Sequence, residues 1–141
     1  MLLIPEASEL PRLDADVARA YVAEWQEILH LRDWDVRVVI KRHNQLGDDL
    51  GRVWISNSKR DAVIDLLHPD DYAGRELVCA NPVVFDWELT LVHELLHIHF
   101  CDILSGDWDC EKSLEHRAAE RMIDALANAL IGLRRRERVQ S

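Results

Sequence analysis

The sequence predicts an α+β fold: a small, mainly antiparallel sheet of about three strands, an N-terminal helix, a buried central helix and a C-terminal helix. Three observations carry that prediction. Apolar residues recur at helical spacing from Asp14, β-branched alternation takes over between Trp34 and Leu67, and helical runs return from Trp87 to Leu133. The order helix, strands, helix, helix is that of helices packed on one sheet. At 141 residues, with 48% hydrophobic and 30% charged, the chain 1–141 reads as one globular domain with an N-terminal arm at 1–13 and a basic tail at 134–141.

The first helix carries Val17, Tyr21, Trp25, Ile28 and Leu29 on one stripe, and Asp14 is placed to cap it. The run Trp34 to Lys41 alternates apolar and polar residues, as a half-buried strand does. Gly47-Asp48-Asp49 and Ser56-Asn57-Ser58 are turn signals that set off two further strands, 51–55 and 62–67. Connections this short imply mostly antiparallel neighbours. His68 to Gly74 reads as a loop, Asn81-Pro82 as a boundary, and the segment from Asp70 to Asn81 as a candidate lid. Asp86 can cap a helix starting at Trp87 that is apolar nearly all round and therefore buried. Ser105 to Asp109 is a polar connector, and a last helix runs roughly from Ser113 to Leu133.

Charge and composition exclude several classes of function. The net charge of −9 argues against a nucleic-acid surface. The +3 cluster Arg134-Arg135-Arg136-Glu137-Arg138 reads as cations favourably placed at a helix C-terminus rather than as a binding tail. Charges break every apolar stretch before the ~20 residues that a membrane span needs, and no signal-peptide pattern opens the chain. Cys79, Cys101 and Cys110 form an odd set without a CxxC pair, which suggests free thiols and a cytoplasmic setting.

Four of the seven histidines, His93, His97, His99 and His116, crowd into one stretch. Within the buried helix His93-Glu94-Leu95-Leu96-His97 forms an H-E-x-x-H pattern. Two imidazoles four residues apart differ by about 40° around a helix and about 6 Å along it, so both can hold one metal ion, with Glu94 on the same turn as catalytic base. Zn2+ is the expected cofactor, lowering the pKa of a bound water that Glu94 deprotonates. Polar groups on a core helix need such a reason; two hydrogen-bonded core histidines are the bland alternative. For the third ligand Glu120 leads, with Glu115 and His116 in competition, and Asp124 can accept a hydrogen bond from His93 and fix its tautomer. His99 points away from the metal, and Cys101 reads as a small buried hydrophobe. Tyr72 or His68 is a candidate donor to the transition state.

With these residues in place the chain resembles a small gluzincin metallopeptidase: Val92 to His99 carries HExxH, and Glu120-x-x-x-Asp124 matches the downstream ExxxD. It looks closest to the minimal zincins of phages and prophages and, more distantly, to the ImmA/IrrE-like peptidases. The resemblance implies zinc bound by His93, His97 and Glu120, Glu94 as general base, and a protein or peptide substrate lying extended along an edge strand. A protein partner or regulator is left open; neither nucleic acid nor membrane is expected. A binding or regulatory module of zincin fold, with a structural metal or none, is the alternative, and a non-peptidase hydrolase using the same metal water is a third reading.

Overall fold

In the computed structural model, residues 10–76, 86–101 and 114–140 are described. Asp14 caps α1 (Ala15–Ile28) as the sequence predicts, its carboxylate accepting a hydrogen bond from the Val17 amide. Ala18, Val22 and Trp25 turn inward from this helix. Trp25 is fully buried, so Trp25→Ala would cost about 3–5 kcal/mol.

The strands are β1 (Asp35–Lys41), β2 (Gly51–Ser56) and β3 (Asp61–Leu67), in the order β1-β3-β2. The tight turn between β2 and β3 makes that pair antiparallel, whereas β1 runs parallel to β3. Here the expectation of mostly antiparallel neighbours is corrected. Between β1 and β2 lies a one-turn helix, α2 (His43–Leu46), which carries the chain across so that β2 joins the far side of β3. This leaves β2 at an edge of the sheet.

A second correction concerns the stretch after β3. Pro69–Glu76 is a helix, α3, and not a loop. Pro69 suits a first helical position, Asp70 and Asp71 favour the positive end of the helix dipole, and Arg42 grips Asp71 through Nε and Nη2 at 2.8 and 2.9 Å. Cys79, Cys110, the Asn81-Pro82 boundary, the 105–109 connector and the far part of the candidate lid lie outside the described residues.

Asp86 caps α4 (Trp87–Phe100) through the Leu89 amide. This helix is buried along most of its length, packed on the inner face of β2 and β3, on α1 and on α5 (Leu114–Gln140). Gly51, the first residue of β2, permits the closest approach: a Cβ there would sit 2.7 Å from Thr90 Cγ2. Among the described residues no helix is long and apolar enough to cross a membrane.

The basic tail is corrected as well, because α5 runs past Leu133 to Gln140, with Arg135 buried and Arg134 and Arg138 partly buried against acids of α1 and α4. Glu88, completely buried on α4, accepts from Trp25 Nε1 at 2.8 Å and from Arg138 Nη2 at 2.7 Å, with Arg135 at 3.3 Å. Arg135 also forks onto Asp86, while Arg134 and Arg138 reach Glu24 of α1. Burial alone would raise the Glu88 carboxyl; the hydrogen bonds from Arg138 and Trp25, with both guanidinium charges, hold it below the ordinary range. The cluster bolts α5 to α4 and α1, which fixes what the other half of α5 faces.

Candidate metal centre

Inside the apolar helix α4, His93 and His97 are one turn apart on the side that meets α5. From α5, Glu120 reaches both: its Oε2 lies 3.3 Å from His93 Nε2 and its Oε1 lies 3.0 Å from His97 Nε2. The two imidazole Nε2 atoms are themselves 3.3 Å apart. Glu120 meets each imidazole with a different carboxylate oxygen, so two nitrogens and one carboxylate surround one small space, and zinc takes such nitrogen and oxygen ligands at about 2.0–2.2 Å. The donor set, two imidazoles and one carboxylate, also fits zinc chemistry and leaves a fourth position for water or substrate.

His93 completes the arrangement on its other side. Its Nδ1 lies 2.8 Å from Asp124 Oδ1, one turn beyond Glu120. A proton shared there stays on Nδ1 and leaves the Nε2 lone pair facing His97 and Glu120. Burial opposes the charged imidazole, but hydrogen bonding to Glu120 and the charges of Glu94, Glu120 and Asp124 outweigh it and raise the His93 pKa. The same hydrogen bonds from His93 and His97 hold the Glu120 carboxyl far below its ordinary range. Each carboxylate–imidazole contact is an ion pair where the imidazole is protonated.

Glu94 is a different kind of acid. It is 8% exposed and takes no hydrogen bond among the described residues, so desolvation raises its carboxyl pKa, with His97 and His93 pulling the other way. A cleft of about 460 Å³ opens beside it, walled by Asp48, Asp49, Leu50, Gly51, Leu89, Thr90, His93, Glu94, Glu120 and Asp124. That volume suits a small segment of ligand. The start of edge strand β2 thus forms one wall and the α4–α5 seam the other.

The structure brings together His93, Glu94, His97, Glu120 and Asp124, and among the described residues the metal-capable group is His93, His97 and Glu120. Glu115 and His116 do not join it. Leu114 and Glu115 are exposed at the start of α5, so Glu115 has no inward face there. His99 turns to α1, donating from Nε2 to the Leu29 carbonyl at 2.6 Å, and Cys101 is the C-cap of α4. Neither Tyr72 nor His68 lines the cleft: Tyr72 packs against the core and His68 Nδ1 accepts from the Asp70 amide at the start of α3.

Sequence reasoning missed the acidic doublet Asp48-Asp49, which it read only as a turn. The signal that places it in the cleft is the sheet order, and that order depends on long-range pairing. Compared with family models, with curated proteins and with solved structures, the chain finds no match in any of the three.

Proposed function

We propose that this chain is a cytoplasmic, zinc-dependent metallopeptidase of the gluzincin type, with His93, His97 and Glu120 as zinc ligands and Glu94 as general base. The observation that carries the reading is the convergence of two imidazole nitrogens and one carboxylate in the wall of an open cleft, beside the buried Glu94 carboxyl, which takes no hydrogen bond among the described residues. Zinc held there supplies Lewis acidity and lowers the pKa of a bound water towards ~7.

The protein's own groups do the rest. Glu94, made more basic than an exposed glutamate by burial, takes a proton on its carboxylate and returns it to the leaving amine. Asp124 keeps the His93 proton on Nδ1, so that Nε2 keeps its lone pair for a metal. Edge strand β2 offers main-chain hydrogen bonds to a peptide lying along the cleft, the mode in which affinity is independent of side chains. Thr90 and Gly51 hold that strand close to α4.

The test is Glu94→Gln. About one zinc per chain should be retained by elemental analysis while peptide hydrolysis falls by about 10²–10⁴. Full activity in that variant would refute the mechanism, and zinc retention with no hydrolysis of varied protein substrates by the unmodified chain would favour a binding module instead.

A further inference from the structure

Helix α5 is docked unevenly along its length. In its second half, 127–140, Ala127 and Ile131 join the core and Leu130 packs against it, while Arg134, Arg135 and Arg138 reach Glu24, Asp86 and Glu88 on α1 and at the start of α4. In its first half, 114–126, Ile123 is the one described residue in that core. Ala119 is buried apart from it, and Leu114, Met122 and Leu126 are exposed. Glu120 and Asp124 tie this half to α4, the first through His93 and His97 and the second through His93. Their side chains are 34% and 65% exposed, so as ion pairs in water they hold the helix only weakly. The same two residues form part of the cleft wall.

We infer that α5 has two separate clamps, a permanent one of arginines at 127–140 and a conditional one at 114–126 that closes when Glu120 joins His93 and His97 on a metal ion. This rests on the metal site proposed above and assigns its regulation. Without the ion the first half of α5 opens locally, and the wall that Glu120 and Asp124 supply to the cleft opens with it. Local opening is governed by how well a segment is docked rather than by the stability of the whole fold. An undocked Glu120 cannot share an ion with α4, so ion binding favours the docked segment alone. Its opening is then suppressed by the ratio of free ion to dissociation constant, about a hundredfold at a hundred times that constant. The arginine clamp takes no ligand and holds the second half in both states, so metal uptake completes a cleft on a fold that already exists.

The experiment is amide hydrogen exchange on the full chain, metal-free and with zinc chloride at about a hundred times its measured dissociation constant. Because the first amides of any helix lack intrahelical partners, the comparison sets 118–126 against 130–140. In the metal-free chain, protection factors at 118–126 should be lower than at 130–140 by about tenfold or more, and zinc should raise them by about a hundredfold. Glu88→Gln loosens the arginine clamp; in the zinc-loaded protein it should lower protection at 130–140 by about tenfold and leave 118–126 within about threefold. Equal protection of the two segments in the metal-free chain, or a zinc effect at 118–126 below about twofold, overturns the inference while leaving the metal site standing. Equal loosening of both segments by Glu88→Gln overturns it as well, by showing a single cooperative clamp. A chain that takes up no zinc in elemental analysis fails the metal site and the inference together.

Discussion

Replacing Asp124 tests whether the second helix merely touches His93 or tunes it as a ligand. The His93 Nδ1 to Asp124 Oδ1 contact is 2.8 Å, the length of a charge-assisted bond, and such bonds contribute about 1.5–3 kcal/mol. Asp124 is 65% exposed, so in Asp124→Ala water takes the vacated place, which puts the cost at the lower end, about 1.5 kcal/mol. That corresponds to roughly tenfold weaker zinc binding, the lower bound for groups that orient a metal-binding histidine. Asp124→Asn keeps an acceptor oxygen and loses only the charge, so about threefold is expected. The measurement is competition against a chromophoric chelator at fixed pH and salt, with circular dichroism of the metal-free proteins as a folding control. Binding by Asp124→Ala within twofold of the unmodified protein would refute the tautomer argument. Weakening beyond a hundredfold would refute it differently, by making Asp124 itself a ligand.

Glu88→Gln should lose about 2–3 kcal/mol in urea unfolding, since two guanidinium groups lose their buried counter-ion while Arg135 keeps Asp86 and Arg138 keeps Glu24. An unmoved midpoint would show the cluster idle. Because the Glu88 carboxyl lies below its ordinary value near 4.5, its stabilisation is present above that pH and lost on acidification, a loss the variant should lack. Gly51→Ala should cost about 1–3 kcal/mol through the Thr90 contact, and Thr90→Ser should recover part of it in thermal melts; additive losses would refute the clash. For the metal-free protein, Glu120 contributes stability above its ordinary 4.5 that disappears as pH falls, and His93 contributes below its ordinary 6.5 and loses it as pH rises, with the charging of buried Glu94 acting in the same alkaline direction. Melting temperature should therefore peak between these values, and Glu120→Gln should flatten the curve; an equally sharp peak in the variant would refute the assignment.

Local signals carried most of the elements. Asp14 and Asp86 announce their helices because a carboxylate two or three residues before an apolar run satisfies amides that nothing else can reach. The three strands were legible from alternation to within a residue or so at either end. What failed was long-range. No residue in β1 states that it will pair with β3 in parallel, since that depends on where α2 sends the chain. Pro69-Asp70-Asp71 resembles a turn and a helix start equally, and tertiary anchoring by Arg42 decides for the helix. At the site, His93, Glu94 and His97 stand out because polar groups in an apolar helix demand partners, and Glu120 and Asp124 share their spacing. Asp48 and Asp49 carry no such mark, being ordinary turn residues until the sheet order places them opposite α5.

The same rule, acids placed on or against an apolar helix, has opposite outcomes at the two ends of the α4–α5 pair. At one end Glu24, Asp86 and Glu88 are each met by guanidinium groups from Arg134, Arg135 or Arg138, and the charges close on themselves as a structural bolt. At the other, Glu120 and Asp124 meet the imidazoles of His93 and His97, Glu94 lies beside them, and none of the described residues lining the cleft is a lysine or arginine. Carboxylates gathered in a partly buried space repel one another unless a cation arrives. Among the described residues the fold sets arginines where the charges close on themselves and imidazoles where they converge on one point, and an imidazole, unlike a guanidinium, can give up its proton to a metal ion. A divalent ion among His93, His97 and Glu120 is the cation that this arrangement suits.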